Sequence, residues 1–259
     1  MAQTLKTPSP SPTQVVKQDF SLSSIELSYS RPGVKGRSVF GDLVPYGKVW
    51  RTGANSATTI TFGEDVIIGG TKVPAGKYGL LSIPGEGEWT FIITRQLDVT
   101  QPVAYRQDQD VVRVQATPQT LPFSIETLTF LFGDITSNGC NLTLCWDKTV
   151  VALPIQTSTD DKIMAQIDNL MNKDNRPYFA AAMYYLDNGK DLNKALEWFN
   201  KATADNPAFF SVYQKARCLA KLGRKQEAIA AAKQSIELSK KANNTDYVAL
   251  NEKLIASLQ

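Results

Sequence analysis

Residues 127–146 read TLTFLFGDITSNGCNLTLCW. Apolar and polar side chains alternate through most of TLTFLF (127–132) and again in NLTLCW (141–146). A period of two is typical of β-strands with one buried face, because successive side chains point to opposite sides of a strand. This stretch therefore predicts two strands.

Short runs of the same kind recur between residues 19 and 155, separated by Gly, Pro and Asp. We expect strands at 24–29, 58–62, 66–68, 78–83, 90–94 and 111–115, in addition to 126–132 and 141–146. Gly69-Gly70 is a typical hairpin turn. Short, regularly spaced strands predict an antiparallel β-sandwich or barrel over residues 19–155, and the strand order stays open.

From residue 156 onward the chain is rich in Ala, Leu, Lys and Gln, with apolar residues at helical period. Two sets of residues share the spacing i, i+4, i+7, namely Ala195, Phe199 and Ala202, then Ala228, Ala232 and Ser235. A glycine precedes each set, and the pattern resembles the tetratricopeptide repeat. The resemblance implies an all-α domain of helical hairpins over 156–259, with two repeat units at 176–240 and end helices near 159–172 and 245–258. The fold class expected for the whole chain is α+β, as two domains.

Residues 1–18 are rich in Pro, Ser and Thr, and we expect them to be extended or disordered. The opening MAQTLKTPSPSPTQ contains no apolar core of a signal peptide. We interpret it as the start of an exported, processed protein to which Met1 has been added, and expect a periplasmic or secreted location. A plain cytoplasmic amino terminus is the alternative.

Composition argues against several classes of function. A net charge of +3 is too small to predict nucleic-acid binding, and no apolar stretch reaches the roughly 20 residues of a membrane helix. The chain has no histidine, which removes Ser-His-Asp and Cys-His catalysis and the usual zinc ligands. Asp108 and Asp110 lack the glycine and terminal glutamate of an EF-hand, and no P-loop motif is present. We expect no metal and no cofactor.

Three cysteines are too few for a disulfide framework. Cys140 and Cys145 would lie about 16 Å apart along an extended strand, so they bridge only if the chain turns between them. Cys218 is expected to be a small buried apolar residue, since no histidine can activate its thiol.

Residues 29–55, YSRPGVKGRSVFGDLVPYGKVWRTGAN, form the candidate site. The run mixes Arg and Lys with aromatic residues, Gly and Pro, and Asp42 is its one acidic residue. The guanidinium group of arginine presents paired N–H donors, which match the oxygens of a carboxylate, phosphate or sulfate. Flat aromatic faces suit a sugar ring or an aliphatic body. We expect a polar or anionic small molecule, or a glycan, to bind Arg31, Lys35, Arg37, Tyr46, Trp50, Arg51 and Asn55.

The same run carries a family resemblance. The run resembles the signature of a bacterial family of secreted proteins with a domain of unknown function. The segments that carry the resemblance are YSRP (29–32), KGR (35–37), VPYG (44–47) and WRTGAN (50–55), with a later PAGKYGL (74–80). The resemblance implies a β-rich fold and export, and it brings no established activity. Members often have a Trp-Gly pair before the next Tyr, where this chain has TQPVAY (100–105). If that Trp lines a site, the difference implies altered or absent binding here.

Three hypotheses of function follow. The run favours a non-catalytic envelope or periplasmic binding protein, whose helices pack or contact a protein partner. The second hypothesis is an interaction scaffold in which the arginines are structural, bonding loop carbonyls or pairing with Glu64, Asp65, Asp110 or Glu126. The third is a hydrolase that uses Asp or Glu, for example Glu64-Asp65, and no motif supports it beyond the residue types.

Overall fold

The computed structural model describes residues 7–259, so Met1 and the start of the predicted 1–18 segment lie outside the described residues. The chain divides into two compact units, the first ending at Asp160 and the second spanning Asp161–Gln259. The first is built of strands and the second of helices, and each has its own apolar core. The predicted α+β fold class is confirmed.

The strands of the first unit form two antiparallel sheets within the described residues. In chain order they are β1 (Thr13–Phe20), β2 (Ser23–Ser30), β3 (Thr59–Phe62), β4 (Val66–Ile68), β5 (Thr71–Val73), β6 (Gly76–Ile83), β7 (Trp89–Thr94), β8 (Asp110–Ala116), β9 (Gln119–Gly133) and β10 (Gly139–Gln156). One sheet has the order β1-β2-β3-β6-β7-β8 and the other β5-β4-β10-β9. The sheets do not close into a barrel, so the sandwich is the form observed.

The main core lies between the two sheets and is made by alternating side chains. Ile25, Leu27 and Tyr29 of β2 and Leu142, Leu144 and Trp146 of β10 are each at most 1% exposed. Full burial of one such side chain contributes about 1.5–3 kcal/mol. Tyr29 also joins the sheets through a polar contact, because its hydroxyl accepts the Phe130 N–H of β9 at 2.9 Å. The alternation of apolar residues in 127–146 thus identifies which side chains of β9 and β10 face the core.

The sheets extend beyond the prediction in three main places, of which one is the start of β9, at Gln119 rather than at residue 126. β1 begins at Thr13, inside the segment expected to be extended or disordered, and pairs with β2 along its whole length. β10 continues past the predicted end at Trp146, through a register shift around Asp147, where φ is 49°. A bulge inserts an extra residue and resets the alternation, so Leu153 and Ile155 are again fully buried.

The second unit contains α1 (Asp160–Met171), α2 (Tyr178–Asp187), α3 (Leu192–Ala202), α4 (Phe209–Lys221), α5 (Lys225–Lys241) and α6 (Thr245–Leu258). The hairpins α2–α3 and α4–α5 correspond to the two predicted repeat units. Ala195, Ala228 and Ala232 are completely buried, as expected where small residues let helices approach closely. Asp191 begins α3 by accepting the Asn193 N–H at 2.8 Å, a typical N-cap. The predicted tetratricopeptide-like hairpins are confirmed.

Over the described part of the chain, no helix is both long and apolar enough to cross a membrane. Cys140, Cys145 and Cys218 are free and buried. The Cys218 thiol donates to the carbonyl oxygen of Leu192 at 3.4 Å, which fits its predicted role as a small packing residue.

Candidate functional site

The run 29–55 leaves β2 and connects both sheets by backbone hydrogen bonds. At its start, the Val34 N–H donates to the Glu126 carbonyl of β9 at 2.7 Å. At its end, Trp50 pairs with Ser82 of β6, with the Trp50 N–H donating at 2.7 Å and the Ser82 N–H donating back at 3.0 Å. Both ends are therefore held by regular structure, and the irregular segment between them has a defined position.

A pocket of about 390 Å³ lies along this run, and we call it the basic pocket. Its wall combines residues of the run, residues 99–102 of the loop after β7, Trp146 of β10 and Ser11. The volume falls within the range usual for small-molecule sites. Of the predicted site residues, the pocket brings together Arg37, Trp50 and Arg51.

Two tryptophans form one side of the basic pocket. The rings of Trp50 and Trp146 are stacked, with centroids 5.8 Å apart and planes 18° apart. The Trp50 Nε1–H donates to the Gly53 carbonyl at 3.0 Å. A Cβ at Gly53 would lie 2.8 Å from Thr58 Oγ1, so glycine allows the chain to pass closely here. The Trp146 Nε1 is buried and has no hydrogen-bond partner among residues 7–259.

Arg51 joins the run to the loop after β7. Its Nη1 donates to the Thr100 carbonyl at 2.5 Å, whereas its Nε is buried without a partner. A buried N–H that lacks an acceptor costs about 1–3 kcal/mol. Among the described lining residues, Arg51 and Trp146 therefore each have one buried N–H without an acceptor.

The side chains that line the basic pocket carry positive charge that no neighbouring carboxylate of the described residues neutralises. Arg37, Lys48 and Arg51 line it, and no described Asp or Glu does. In the part of the chain that the structure describes, none of these three cations pairs with a carboxylate. Excess charge of one sign in a cleft raises the local concentration of ligands of the opposite sign.

The family model described as protein of unknown function (DUF2911) matches residues 11–155, more than half of the 259-residue chain. The chain belongs to this family. A second family model, described as anaphase-promoting complex, cyclosome, subunit 3, matches residues 161–235, so α1 to α4 and part of α5 are similar to that subunit. No curated protein and no solved structure matches the chain significantly. The two matches agree with a domain of unknown function followed by tetratricopeptide-like helices.

In the DUF2911 domain, the carboxylates that could have neutralised the arginines contact other groups. Asp65 pairs with Lys72 at 2.9 Å, and Asp110 with Arg113 at 3.2 Å. Glu126 accepts the backbone N–H of Lys35 at 2.9 Å. Arg31, Arg37 and Arg51 have no ion pair among the described residues, so pairing with these acids does not explain their presence.

Several predicted site residues of the DUF2911 domain lie off the pocket wall. Arg31 donates to the Leu128 carbonyl at 2.9 Å and to Thr129 Oγ1 at 2.8 Å, and the Asn55 amide donates to the Ser11 carbonyl at 3.0 Å. Lys35 and Tyr46 are exposed. Arg37 does line the pocket, yet its guanidinium group also donates to the Gly33 and Val34 carbonyls. Part of this group therefore stabilises the loop that follows β2.

Two parts of the pocket wall were missed from the sequence. Trp146 lies in the predicted strand 141–146, and in the structure it belongs both to the core and to the pocket wall. Residues 100–102 lie in the segment TQPVAY, where the sequence departs from the resembled family. That departure was the one signal that could have added this loop to the candidate site.

A separate polar cluster follows the pocket loop. Tyr105 donates to Asp110 Oδ2, and Arg113 Nη1 donates to the Tyr105 hydroxyl at 2.8 Å. Burial, then the hydrogen bond to the Asp110 carboxylate, raises the pKa of Tyr105 well above its usual 10. No group of three metal-ligating side chains occurs among residues 7–259. These hydrogen bonds connect the loop at Tyr105 to β8, so we interpret the cluster as structural.

Proposed function

We propose that the DUF2911 domain of this chain is a non-catalytic binding module that holds a small polar or anionic ligand in the basic pocket. One observation carries the proposal: Arg37, Lys48 and Arg51 line a single pocket, and none is paired with a carboxylate of the described residues. Such charge would strengthen binding of an anion, since a pocket with apolar walls screens charge less than bulk water does.

The pocket lining also bears on catalysis. A hydrolase of the two-carboxylate type needs an acid and a second carboxylate about 5–9 Å apart across one cleft. No Asp or Glu of the described residues lines the basic pocket, and Glu64-Asp65 are not among its lining residues. Binding without turnover is therefore the favoured role.

A thermal-shift screen tests the proposal. The full chain is screened against inorganic anions, dicarboxylates, sugars and cell-wall fragments, since a ligand of the native state raises the melting temperature by mass action. A hit should weaken in Lys48→Gln, whose exposed side chain forms no described hydrogen bond, and persist in Lys77→Gln, an exposed lysine outside the pocket. If no compound binds, or both variants bind equally well, the proposal is wrong.

The second unit supports a further candidate role, contact with a protein partner. We infer this role from its tetratricopeptide-like hairpins and from the match of residues 161–235 to a subunit of a protein assembly. Phe210 of α4 is 41% exposed although it is aromatic. A partner captured by the full chain and lost in Phe210→Ser, while binding in the pocket is unchanged, would support the role. A partner retained by Phe210→Ser would argue against this surface.

We propose, from the resemblance to a secreted family, that the protein works outside the cytoplasm. Fractionation of cells that express it from its own gene tests this, with a cytoplasmic marker followed in parallel. Recovery with the cytoplasmic marker would contradict export.

A further inference from the structure

The hydrogen-bonding groups of the basic pocket are strongly biased towards donors. Arg37, Lys48, Arg51 and Trp146 can only donate through their side chains. Among residues 7–259, no Asp, Glu or Asn lines the pocket, and the lining side chains that can accept are those of Ser11, Thr100 and Gln101. Two wall carbonyls, Gly53 and Thr100, already accept from Trp50 and Arg51. A ligand that fits this wall brings acceptors and few donors.

The rest of the wall is apolar and partly flat. Val44, Val49, Val99 and Pro102 line the pocket together with the stacked Trp50 and Trp146. Aromatic faces and proline rings offer planar contact to a ring. A small hydrated ion such as phosphate would leave most of this apolar surface in contact with water.

Burial orders these groups from the mouth inwards. Arg37 and Lys48 are exposed, Arg51 and Trp50 are half-buried, and Trp146 is 1% exposed. The charged groups therefore lie nearer to solvent than the deepest ring. The matching ligand has its charge at one end and an apolar body at the other.

We propose that the basic pocket takes an amphiphilic oxyanion: one carboxylate or equivalent acidic group on a flat, apolar body that carries few hydrogen-bond donors. The proposal rests on the proposed function of the pocket and makes it specific. The oxyanion contacts Arg51 and Lys48, and the flat body lies against Trp50, whose ring is stacked on the buried Trp146. Neutral sugars fit poorly, because each hydroxyl brings a donor and the wall has few free acceptors. The same chemistry occurs in aromatic carboxylates and in aryl sulfates or phosphates.

Calorimetry with matched probes tests this ligand class on the full chain. The first pair is 2-naphthoate and 2-naphthamide, which have nearly the same shape and differ in charge. Acetate supplies the charge without the ring, and glucose and N-acetylglucosamine supply neutral rings rich in hydroxyls. 2-Naphthyl sulfate and 2-naphthyl phosphate distinguish a carboxylate from other oxyanions.

We expect 2-naphthoate to bind at least about tenfold more tightly than 2-naphthamide and acetate, the effect of one weakly screened charge contact. The preference should shrink as salt concentration rises. Lys48→Gln should weaken 2-naphthoate and leave 2-naphthamide unchanged, whereas Lys77→Gln should change neither. Trp50→Phe should weaken both aromatic probes, and its melting curve shows whether it has folded.

The outcomes separate the ligand class from the pocket itself. Equal binding of 2-naphthoate and 2-naphthamide, or binding of a sugar that Lys48→Gln weakens, would overturn the amphiphilic oxyanion and leave a binding pocket in place. Tighter binding of the sulfate or phosphate ester would keep the class and change the acid. Absence of binding by every probe, up to millimolar concentration, would overturn both this inference and the proposed function.

Discussion

The Arg31 guanidinium lies against the backbone of Leu128, with its Nε donating to the Leu128 carbonyl oxygen at 2.9 Å. The two residues are far apart in sequence, and the strands β2 and β9 beside or around them belong to different sheets. Arg31 follows the end of β2, and Leu128 lies within β9 and is completely buried. A second bond, from Arg31 Nη2 to Thr129 Oγ1 at 2.8 Å, completes the contact. The arginine therefore fastens the start of the run 29–55 to the opposite sheet.

Replacing Arg31 by Ala should destabilise the fold without affecting the pocket. We expect a loss of about 1.5–3 kcal/mol in the free energy of unfolding, the usual value of hydrogen bonds to a charged group, measured by urea denaturation. Arg95 is exposed and lies outside the pocket, so Arg95→Ala should stay within about 0.5 kcal/mol of the original chain. Any ligand of the basic pocket should bind the folded Arg31→Ala variant unchanged. Equal free energies of unfolding for the two variants would show that the hydrogen bonds of Arg31 do not stabilise the fold.

Tyr105 should make the stability of the chain sensitive to alkaline pH. The folded-state pKa of its phenol is raised above the unfolded value of 10, first by burial and then by the hydrogen bond to Asp110. The folded state therefore keeps this proton at a pH where the unfolded chain loses it, so the stabilisation is complete below about pH 10 and declines as pH rises further.

Tyr105→Phe removes this effect and tests it. The melting temperature of Tyr105→Phe should lie below that of the original chain at pH 8, and the difference should shrink between pH 10 and pH 11. Ultraviolet titration of the phenols provides a second measurement, since one tyrosine fewer should ionise late in the variant. A constant difference across this pH range would contradict a raised pKa for Tyr105.

The β domain could be predicted where one strand alternates without interruption. Leu142, Leu144 and Trp146 point inwards as the pattern requires, and the same holds for Leu128 and Phe130. The continuation of β10 was missed because the bulge at Asp147 shifts the alternation. β1 was missed because most of its residues are exposed or half-buried, so the composition resembles that of a disordered segment. Its hydrogen bonds to β2 make this segment a strand, and local composition does not reveal such pairing.

The candidate site could be predicted only in part, for a related reason. Arg37, Trp50 and Arg51 are close in sequence, and they meet at one pocket. Arg31 and Asn55 have the same residue types, but each bonds a carbonyl that lies far away in sequence, Leu128 and Ser11. Trp146 joins the wall because the two sheets pack together. Local composition identifies the right segment, and tertiary contacts decide which of its side chains remain available to a ligand.

The three thiols should be inert in the folded chain. Burial raises the pKa of Cys140 to about 11, and it also raises the pKa values of Cys145 and Cys218. A raised pKa leaves little reactive thiolate at neutral pH, and burial excludes the reagent. We expect no reaction with a disulfide reagent such as Ellman's at pH 8 and reaction of all 3 cysteines in urea. Rapid modification of one thiol in the native chain would indicate an accessible, functional cysteine.

Close packing of the helical hairpins depends on small residues on one face of α5. Ala228 is completely buried, whereas Ala230 on the same helix is exposed. Ala228→Leu should therefore force the helices apart and cost about 1–3 kcal/mol, while Ala230→Leu should change stability by less than about 0.5 kcal/mol. Both substitutions retain a good helix former, so a difference reports packing rather than helix propensity. The measurement is urea unfolding followed by the helical circular dichroism signal, and equal midpoints would argue against tetratricopeptide-like packing of α5.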